Sequence, residues 1–242
     1  MHAVARLCAE RLARSTKPFV ARGSRGPRCP ECRVPLRHCA CAWRPRLPAN
    51  AGFCLLMHDI EPLKPSNTGW LIADVVPDTF AFGWSRTEVD PRLLELLADP
   101  QWQPLLVFPG EYVAPERVVE TLPEMESGSR PLFVMLDATW TEARKMQRKS
   151  PYLDHLPVLS LTPEQLSRYR LRRSCRSEHL CTAEVAALCL EMAGEPAAGE
   201  ALDAWLEVFS EHYLAAKRQR APDPENPPHR YLAQLCERVS QS

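Results

Sequence analysis

The hydrophobic pattern of the chain becomes regular from residue 51 onward, where short apolar segments alternate with segments of helical spacing. The apolar segments predict strands at residues 52–58, 79–84, 104–109, 131–136 and 156–161. The intervening segments predict helices at residues 68–76, 91–98, 115–122 and 139–149. Short, fully apolar strands in βαβα alternation are typical of a mostly parallel sheet with helices on both faces. The sequence therefore predicts an α/β fold.

The segments on either side of this region have a different pattern. On the N-terminal side, we predict a short helix within residues 1–18, followed by a proline-rich stretch at 19–50. On the C-terminal side, we predict a helix, a linker, an amphipathic helix, a loop and a last helix, at residues 181–194, 195–200, 201–218, 221–230 and 230–240. We therefore divide the chain into an N-terminal module, a central domain and a C-terminal helical extension, at residues 1–50, 51–195 and 196–242.

Charge is distributed unevenly along a chain whose formal net charge is zero. The first 50 residues contain 11 Lys and Arg against 2 Asp and Glu. Such a basic segment suits a polyanion, although a solvated, partly disordered arm has the same composition. We find no apolar run long enough to cross a membrane and no signal-peptide core. Ten irregularly spaced cysteines argue against a disulfide framework, and we expect a cytoplasmic protein. A mitochondrial presequence is the alternative, because the first 25 residues are rich in arginine and contain a single acid.

Four cysteines are clustered within the basic N-terminal module. Cys29, Cys32, Cys39 and Cys41 have the spacing C-x2-C-x6-C-x-C. Four compactly spaced soft ligands fit a tetrahedral structural zinc ion, and His38 could replace one of them. Free thiols are the alternative. A bound metal would order a segment that otherwise lacks a core.

Polar residues follow the first predicted strand, at the position where open α/β sheets bind ligands. His58, Glu61, Lys64, Asn67 and Thr68 crowd into one loop between this strand and the next helix. Asn67 or Thr68 can cap that helix. Capping does not explain the acid, the base and the imidazole together, so we favour a functional loop.

The fourth predicted strand ends in Asp137, and Thr139 and Trp140 follow it. Thr139 and Glu142 fit a capping box, which gives both residues a structural explanation. It does not explain Asp137 at the strand end or Trp140 on the first helical turn. A carboxylate beside an aromatic face can hold a nucleobase, whereas core packing is the alternative for Trp140.

Further candidates follow the third and fifth predicted strands. Pro109 and Gly110 lie in a turn whose backbone amides could face a ligand, although a plain turn explains them equally well. Five arginines within residues 168–176 are dense enough to bind phosphates. The next helix begins near Thr182 and Glu184, where the helix dipole favours an acid, so capping is the alternative for Glu184.

In this order, the motifs resemble the DTW-domain family, named for Asp-x-Thr-Trp, and within it the bacterial tRNA-uridine aminocarboxypropyltransferases. The likeness extends from the cysteine cluster through "EPLKPSNTG", "LDATWTEARKM", "KSPYLDHLPV" and "CTAEVA". It implies that the central domain is catalytic and related to the SPOUT methyltransferases, with a deep trefoil knot. Many relatives have His-Pro where this chain has His58 and Asp59, and Ser where it has Cys181.

The resemblance also implies a reaction. S-adenosylmethionine would donate its 3-amino-3-carboxypropyl group to N3 of a tRNA uridine in the variable loop, and no obligate protein partner is implied. Glu61 and Lys64 would hold the charged amino acid end of the donor, and Asp137, or else Glu184, would accept the uridine proton. Trp140 would stack on the uracil or the adenine. Other residues expected to bind the donor are Asn67, Thr68, Pro109, Gly110, Thr139 and Thr182.

Two other functions remain open on the sequence alone. A SPOUT-type RNA methyltransferase would differ only in the orientation of its donor. A non-catalytic zinc-bearing RNA-binding protein would use the basic segments and the metal, but it would give no use to Asp137 or Glu61.

Overall fold

One six-stranded sheet organises the computed structural model, which describes residues 1–17, 19, 26–125, 128–162 and 180–240. The strand order is β2-β1-β5-β3-β6-β4, and all neighbouring strands are parallel. The strands are β1 Gly52–Met57, β2 Thr79–Gly83, β3 Trp102–Val107, β4 Val118–Val119, β5 Arg130–Asp137 and β6 Val158–Leu159. The predicted parallel α/β sheet is therefore confirmed.

Helices cover both faces of this sheet, as predicted. They are α1 Ala3–Ala13, α2 Gly69–Val75, α3 Pro91–Ala98, α4 Trp140–Arg148, α5 Thr182–Met192, α6 Pro196–Lys217 and α7 Pro227–Ser240. Because side chains alternate along a strand, Phe53 and Leu55 of β1 pack into a cluster with α1, α2, α5, α6 and α7. Cys54 and Leu56 pack into a second cluster with α3 and α4. The central strand is therefore buried on both sides, which explains its continuous apolar run.

The helix predicted at residues 115–122 is wrong. Residues Pro115–Arg117 form a single 3₁₀ turn, and β4 follows and pairs with β6. Val118 and Val119 are β-branched and favour a strand where a neighbouring edge is available for pairing. The strand predicted at residues 156–161 is correspondingly short and consists of β6 alone.

Two predicted connections are also helical. The linker at residues 195–200 is wrong, because α6 begins at Pro196, and proline is well tolerated in the first turn of a helix. Gly199 then lies so close to α5 that a Cβ atom would approach the Ala187 carbonyl oxygen to 2.8 Å. The loop predicted at residues 221–230 is wrong in its last part, because α7 begins at Pro227.

The terminal segments pack against the central sheet. Val4 of α1, Val34 of the cysteine-rich segment and Trp205 of α6 belong to one hydrophobic cluster with Phe53 of β1. The division into three segments stays a prediction, as do the relation to the SPOUT fold and the knot. In the described ranges, every helix is too short or too polar to cross a membrane.

We predict that Gly52 is required for packing at the start of β1. A Cβ atom at Gly52 would lie 2.6 Å from two ring atoms of Trp102, which is itself buried. Gly52→Ala should lower the free energy of unfolding by about 1–3 kcal/mol, the usual cost of overpacking. The matched control is Gly83→Ala in β2, where the nearest atom is 3.7 Å away. Equal denaturation midpoints for the two variants would contradict this explanation.

Candidate active site and metal centre

Three strands deliver the candidate residues to one edge of the sheet. In the parallel register, Met57 of β1 lies beside Asp137 of β5, and Val107 of β3 lies beside Met135. The loops that follow β1, β3 and β5 therefore leave the sheet at the same edge. This is the edge at which open α/β sheets bind ligands.

Asp137 is the centre of a buried hydrogen-bond network. Its side chain is at the end of β5, and only 3% of the residue surface is exposed. Asn67 Nδ2 donates to Oδ2 over 2.8 Å, and the Thr182 hydroxyl donates to Oδ1 over 2.8 Å. Three predicted site residues from distant parts of the sequence thus meet at one carboxyl group.

Burial raises the pKa of Asp137 above its usual value. The hydrogen bonds from Asn67 and Thr182 lower the pKa in part, and the neighbouring Glu61 carboxylate raises it further. The carboxyl group therefore binds its proton more tightly than an ordinary aspartate. Gly69 leaves room for it, because a Cβ atom there would lie 2.5 Å from Asp137 Oδ2.

Glu61 and Lys64 form an ion pair beside this network. Glu61 is buried, whereas the Lys64 side chain is partly exposed. Asn67 Nδ2 also lies 3.3 Å from Glu61 Oε2, so one amide bridges the carboxyl groups of Glu61 and Asp137. The acid, the base and the buried carboxyl predicted from two separate motifs are therefore adjacent.

Thr68 is the N-cap residue of α2, but its side chain does not cap that helix. Its hydroxyl instead accepts a hydrogen bond of 3.4 Å from the backbone N–H of Ala183 in α5. This contact joins the loop after β1 to the helix that carries Thr182. The two segments that donate hydrogen bonds to Asp137, through Asn67 and Thr182, are therefore also hydrogen-bonded to each other.

Trp140 is exposed at the surface rather than buried in the core, and 43% of its surface is accessible. Its ring stacks on Phe108 with centroids 5.5 Å apart and meets the edge of Tyr112 at 5.3 Å. The Arg144 guanidinium lies 4.7 Å from the Tyr112 ring centroid. Phe108 and Tyr112 were not predicted as site residues, and the only signal for them in the sequence is their position at and just after the end of the third predicted strand.

The structure gives Gly110 and Thr139 local structural contacts. The Gly110 N–H donates to Ser160 Oγ over 2.9 Å within a 3₁₀ turn that Pro109 precedes. Thr139 and Glu142 form the predicted capping box at the start of α4. The contacts of Gly110 and Thr139 fix the geometry of the loops that follow β3 and β5.

Glu184 has a capping role at the start of α5. Its carboxylate accepts a hydrogen bond of 2.6 Å from the Cys181 N–H, in a capping box with Cys181 as the N-cap residue. Burial and the nearby Glu184 carboxylate raise the pKa of Cys181 to about 12. The thiol is therefore protonated at neutral pH and is not a nucleophile.

His58 is anchored beside Asp137 but faces the other side of the sheet. Its backbone N–H donates to the Asp137 carbonyl oxygen over 3.0 Å. Its ring stacks on Trp84 at 5.9 Å, and its Nδ1 atom lies 3.3 Å from Glu142 Oε1 at the start of α4. The structure thus groups His58 with α4 rather than with the Asp137 carboxyl group.

The four clustered cysteines converge as the sequence predicts for a metal site. Their sulfur atoms all lie within 4.8 Å of one another, with Cys29 and Cys41 at 3.5 Å and Cys32 and Cys39 at 3.8 Å. Sulfur atoms bound to tetrahedral zinc at about 2.3 Å are about 3.8 Å apart, so the arrangement fits zinc. His38 contacts the Arg220 carbonyl oxygen through Nε2 and is not part of the sulfur cluster.

We predict one zinc ion per chain, bound by Cys29, Cys32, Cys39 and Cys41. Cys32→Ser should lose the zinc ion and lower the thermal midpoint, because Cys32 is a fully buried member of the cysteine cluster in a segment with little regular secondary structure. Cys8→Ser, outside the cluster, is the control and should keep full zinc content. Elemental analysis of purified protein checks this, and full zinc in the Cys32 variant would exclude the site.

The arginine-rich segment at residues 168–176 lies outside the described residues. Its predicted role in binding phosphates therefore stays a prediction from sequence. Among the described residues, Arg144, Lys145, Arg148 and Lys149 follow Trp140 on or directly after α4. They give the edge of the candidate site a positive charge.

The chain belongs to the DTW domain family, whose model matches residues 26–214. The matched region contains the cysteine cluster, the loop after β1, the Asp137 motif and α5. The family assignment made from the motifs is thus confirmed.

One curated relative is the tRNA-uridine aminocarboxypropyltransferase 2 of Drosophila melanogaster. It is 27% identical over 177 residues, which cover 69% of this chain and 66% of the relative. The chain therefore spans slightly less than two thirds of that protein. No solved structure shows a significant match.

Proposed function

We propose that this protein is an enzyme that transfers the 3-amino-3-carboxypropyl group of S-adenosylmethionine to N3 of a tRNA uridine. The observation that carries the proposal is the Asp137 carboxyl group, buried with Asn67 and Thr182 beside the Glu61–Lys64 pair. Membership of the DTW family and the similarity to a tRNA-uridine aminocarboxypropyltransferase support it.

The donor supplies a sulfonium whose bond to the methionine-side methylene carbon breaks, so that methylthioadenosine leaves as uridine N3 attacks that carbon. The chain must therefore fix the amino acid end of the donor in line with the acceptor. Lys64 suits its carboxylate, and Glu61 suits its ammonium group. Asn67 Oδ1 is buried without a hydrogen-bond partner in the described part of the chain, so it can accept from the same ammonium group.

Asp137 is the general base in this proposal. The N3–H proton of uridine must be removed, and burial raises the proton affinity of the Asp137 carboxylate. Thr182 is less buried than Asp137, and its hydroxyl already donates to Asp137 Oδ1. The hydroxyl can therefore pass a proton to the carboxylate by accepting one from the substrate as it gives up its own. Glu184 is second choice, because it caps α5.

The exposed ring of Trp140, supported by the buried Phe108 and the half-buried Tyr112, is suited to a nucleobase. Base stacking on aromatic side chains is worth about 1–3 kcal/mol per base and tolerates any sequence. The cations on and after α4, and the arginines at residues 168–176, suit the phosphates of tRNA. Such an enzyme would work where tRNA is modified, and we propose the cytoplasm.

The test uses two isotopically labelled forms of S-adenosylmethionine with unmodified tRNA. One form is labelled in the methionine carboxyl carbon and the other in the sulfur-bound methyl group. Aminocarboxypropyl transfer moves only the carboxyl label into tRNA, and mass analysis of nucleosides then finds the modified uridine. Transfer of the methyl label alone would instead identify a methyltransferase, and transfer of neither label to tRNA that binds the protein would favour a binding protein.

We predict that Asp137→Asn lowers turnover by roughly a hundredfold or more, as expected for a lost general base. Asparagine has nearly the same shape, so the variant should fold, and donor affinity measured by calorimetry should change much less. Thr182→Val keeps the carboxyl group but removes the hydroxyl that passes the proton to it, so turnover should fall in this variant as well. If donor affinity falls as far as turnover in Asp137→Asn, Asp137 binds the donor and is not the base.

The pH dependence gives this prediction a second readout. A base works only when deprotonated, so activity should fall with decreasing pH at a higher pH than an ordinary aspartate would give. The free energy of unfolding should depend on pH in the opposite direction to activity. Because the pKa of Asp137 is raised in the folded protein, the contribution of this group to stability declines as pH rises through that pKa. Asp137→Asn should abolish both dependences, and an unchanged acid limb in its residual activity would contradict the assignment.

A further inference from the structure

Arg33 is a buried cation next to the cysteine cluster. It directly follows Cys32, a predicted zinc ligand, and only 8% of its surface is exposed. Its φ of 65° is in the left-handed region, which residues other than glycine seldom adopt. The surrounding structure must therefore hold Arg33 in a conformation that it would not prefer alone.

The Arg33 side chain reaches from the cysteine cluster to the donor loop, which we define as residues 58–68. Its Nη1 atom donates to the Asn67 carbonyl oxygen over 2.9 Å and approaches the Lys64 carbonyl oxygen at 3.4 Å. The guanidinium lies 4.3 Å from the Trp70 ring centroid and 5.3 Å from that of Phe209. Two aromatic rings thus hold a cation that donates hydrogen bonds to the backbone carbonyl groups of Lys64 and Asn67.

The charge of Arg33 connects it to the metal site as well. The Arg33 guanidinium is charged at neutral pH, as arginine is throughout proteins. Its Nε and Nη2 atoms have no hydrogen-bond partner among the described residues. A buried cation is costly unless negative charge lies near it. The buried Asp74 carboxylate provides part of this charge, and thiolates holding a zinc ion at the cysteine cluster would add to it.

We propose that Arg33 is a positioning residue that couples the cysteine cluster to the donor loop. The cysteine-rich segment holds Arg33, and Arg33 holds the backbone at Lys64 and Asn67. The side chains of these two residues then keep their places beside Glu61 and Asp137. The consequence for donor binding rests on the proposed function. The cysteine cluster thereby affects the site for the donor and not only the ordering of its own segment.

Two substitutions separate positioning from packing. Arg33→Met keeps an unbranched apolar side chain in the buried position, but it removes the guanidinium and with it the hydrogen bonds to the donor loop. Arg33→Lys keeps the charge and one possible hydrogen bond, so it should recover part of the effect. Arg37→Gln is the matched control, because Arg37 lies in the same segment between Cys32 and Cys39 and is exposed. Among the described residues it makes no hydrogen bond or ion pair with the donor loop.

The first measurement is hydrogen–deuterium exchange, which needs no ligand. In Arg33→Met, and in wild-type protein treated with a chelator, amides of the donor loop should exchange faster while those of β3 and β5 remain protected. Zinc content of Arg33→Met should match that of wild type. Unchanged exchange in the donor loop would overturn the coupling, and so would an equal increase over the whole chain.

The second measurement is calorimetry with S-adenosylmethionine in the absence of tRNA. The dissociation constant should rise roughly tenfold or more in Arg33→Met, the scale at which displaced positioning groups act, and less in Arg33→Lys. KM for the donor should rise more than kcat falls, and Arg37→Gln should keep the wild-type donor affinity. Wild-type affinity in Arg33→Met would overturn the proposed positioning. If the wild-type protein itself neither binds the donor nor modifies tRNA, the proposed function fails, and the exchange experiment still decides the coupling.

Discussion

The Asp137 carboxyl group lies almost wholly out of water at the end of β5, and a group in this position requires hydrogen-bond donors from the protein. The donors come from Asn67, in the loop after β1, and from Thr182, at the start of α5. One carboxyl group therefore determines how two distant segments approach the edge of the sheet. The absence of a side chain at Gly69 follows from the same constraint, because a Cβ atom there would collide with Asp137.

Asn67 is held from both sides by buried ionisable groups. Its side-chain amide bridges Glu61 and Asp137, whereas its backbone carbonyl accepts from Arg33. An anion-rich cluster and a cation therefore lie on opposite sides of the same loop. Because each is costly to leave unpaired, a displacement of the loop would break contacts on both sides at once. This coupling gives the loop a defined position although most of its residues lie outside regular secondary structure.

The sequence predicted the features that depend on local pattern. The strands β1, β2, β3 and β5 follow from apolar runs, the capping box from Thr139 and Glu142, and the metal cluster from cysteine spacing. The pairing of Asp137 with Asn67 and Thr182 joins residues 70 and 45 positions apart, which no local pattern encodes. The helix prediction for residues 115–122 was wrong because a short amphipathic run fits either a helix or an edge strand. Only the position of β6 decides between the two.

Arg33 shows why the remaining part of the site was missed. In sequence it is one of 11 basic residues in the first 50, and charge counting assigns all of them to a solvated or RNA-binding surface. Its burial results from Trp70 and Phe209, which come from α2 and α6, so it becomes visible only when both helices are packed. The left-handed backbone of Arg33 and the raised pKa of Asp137 each oppose stability. Both unfavourable features lie next to the same loop, as expected for a functional site in which the geometry of the side chains matters more than stability.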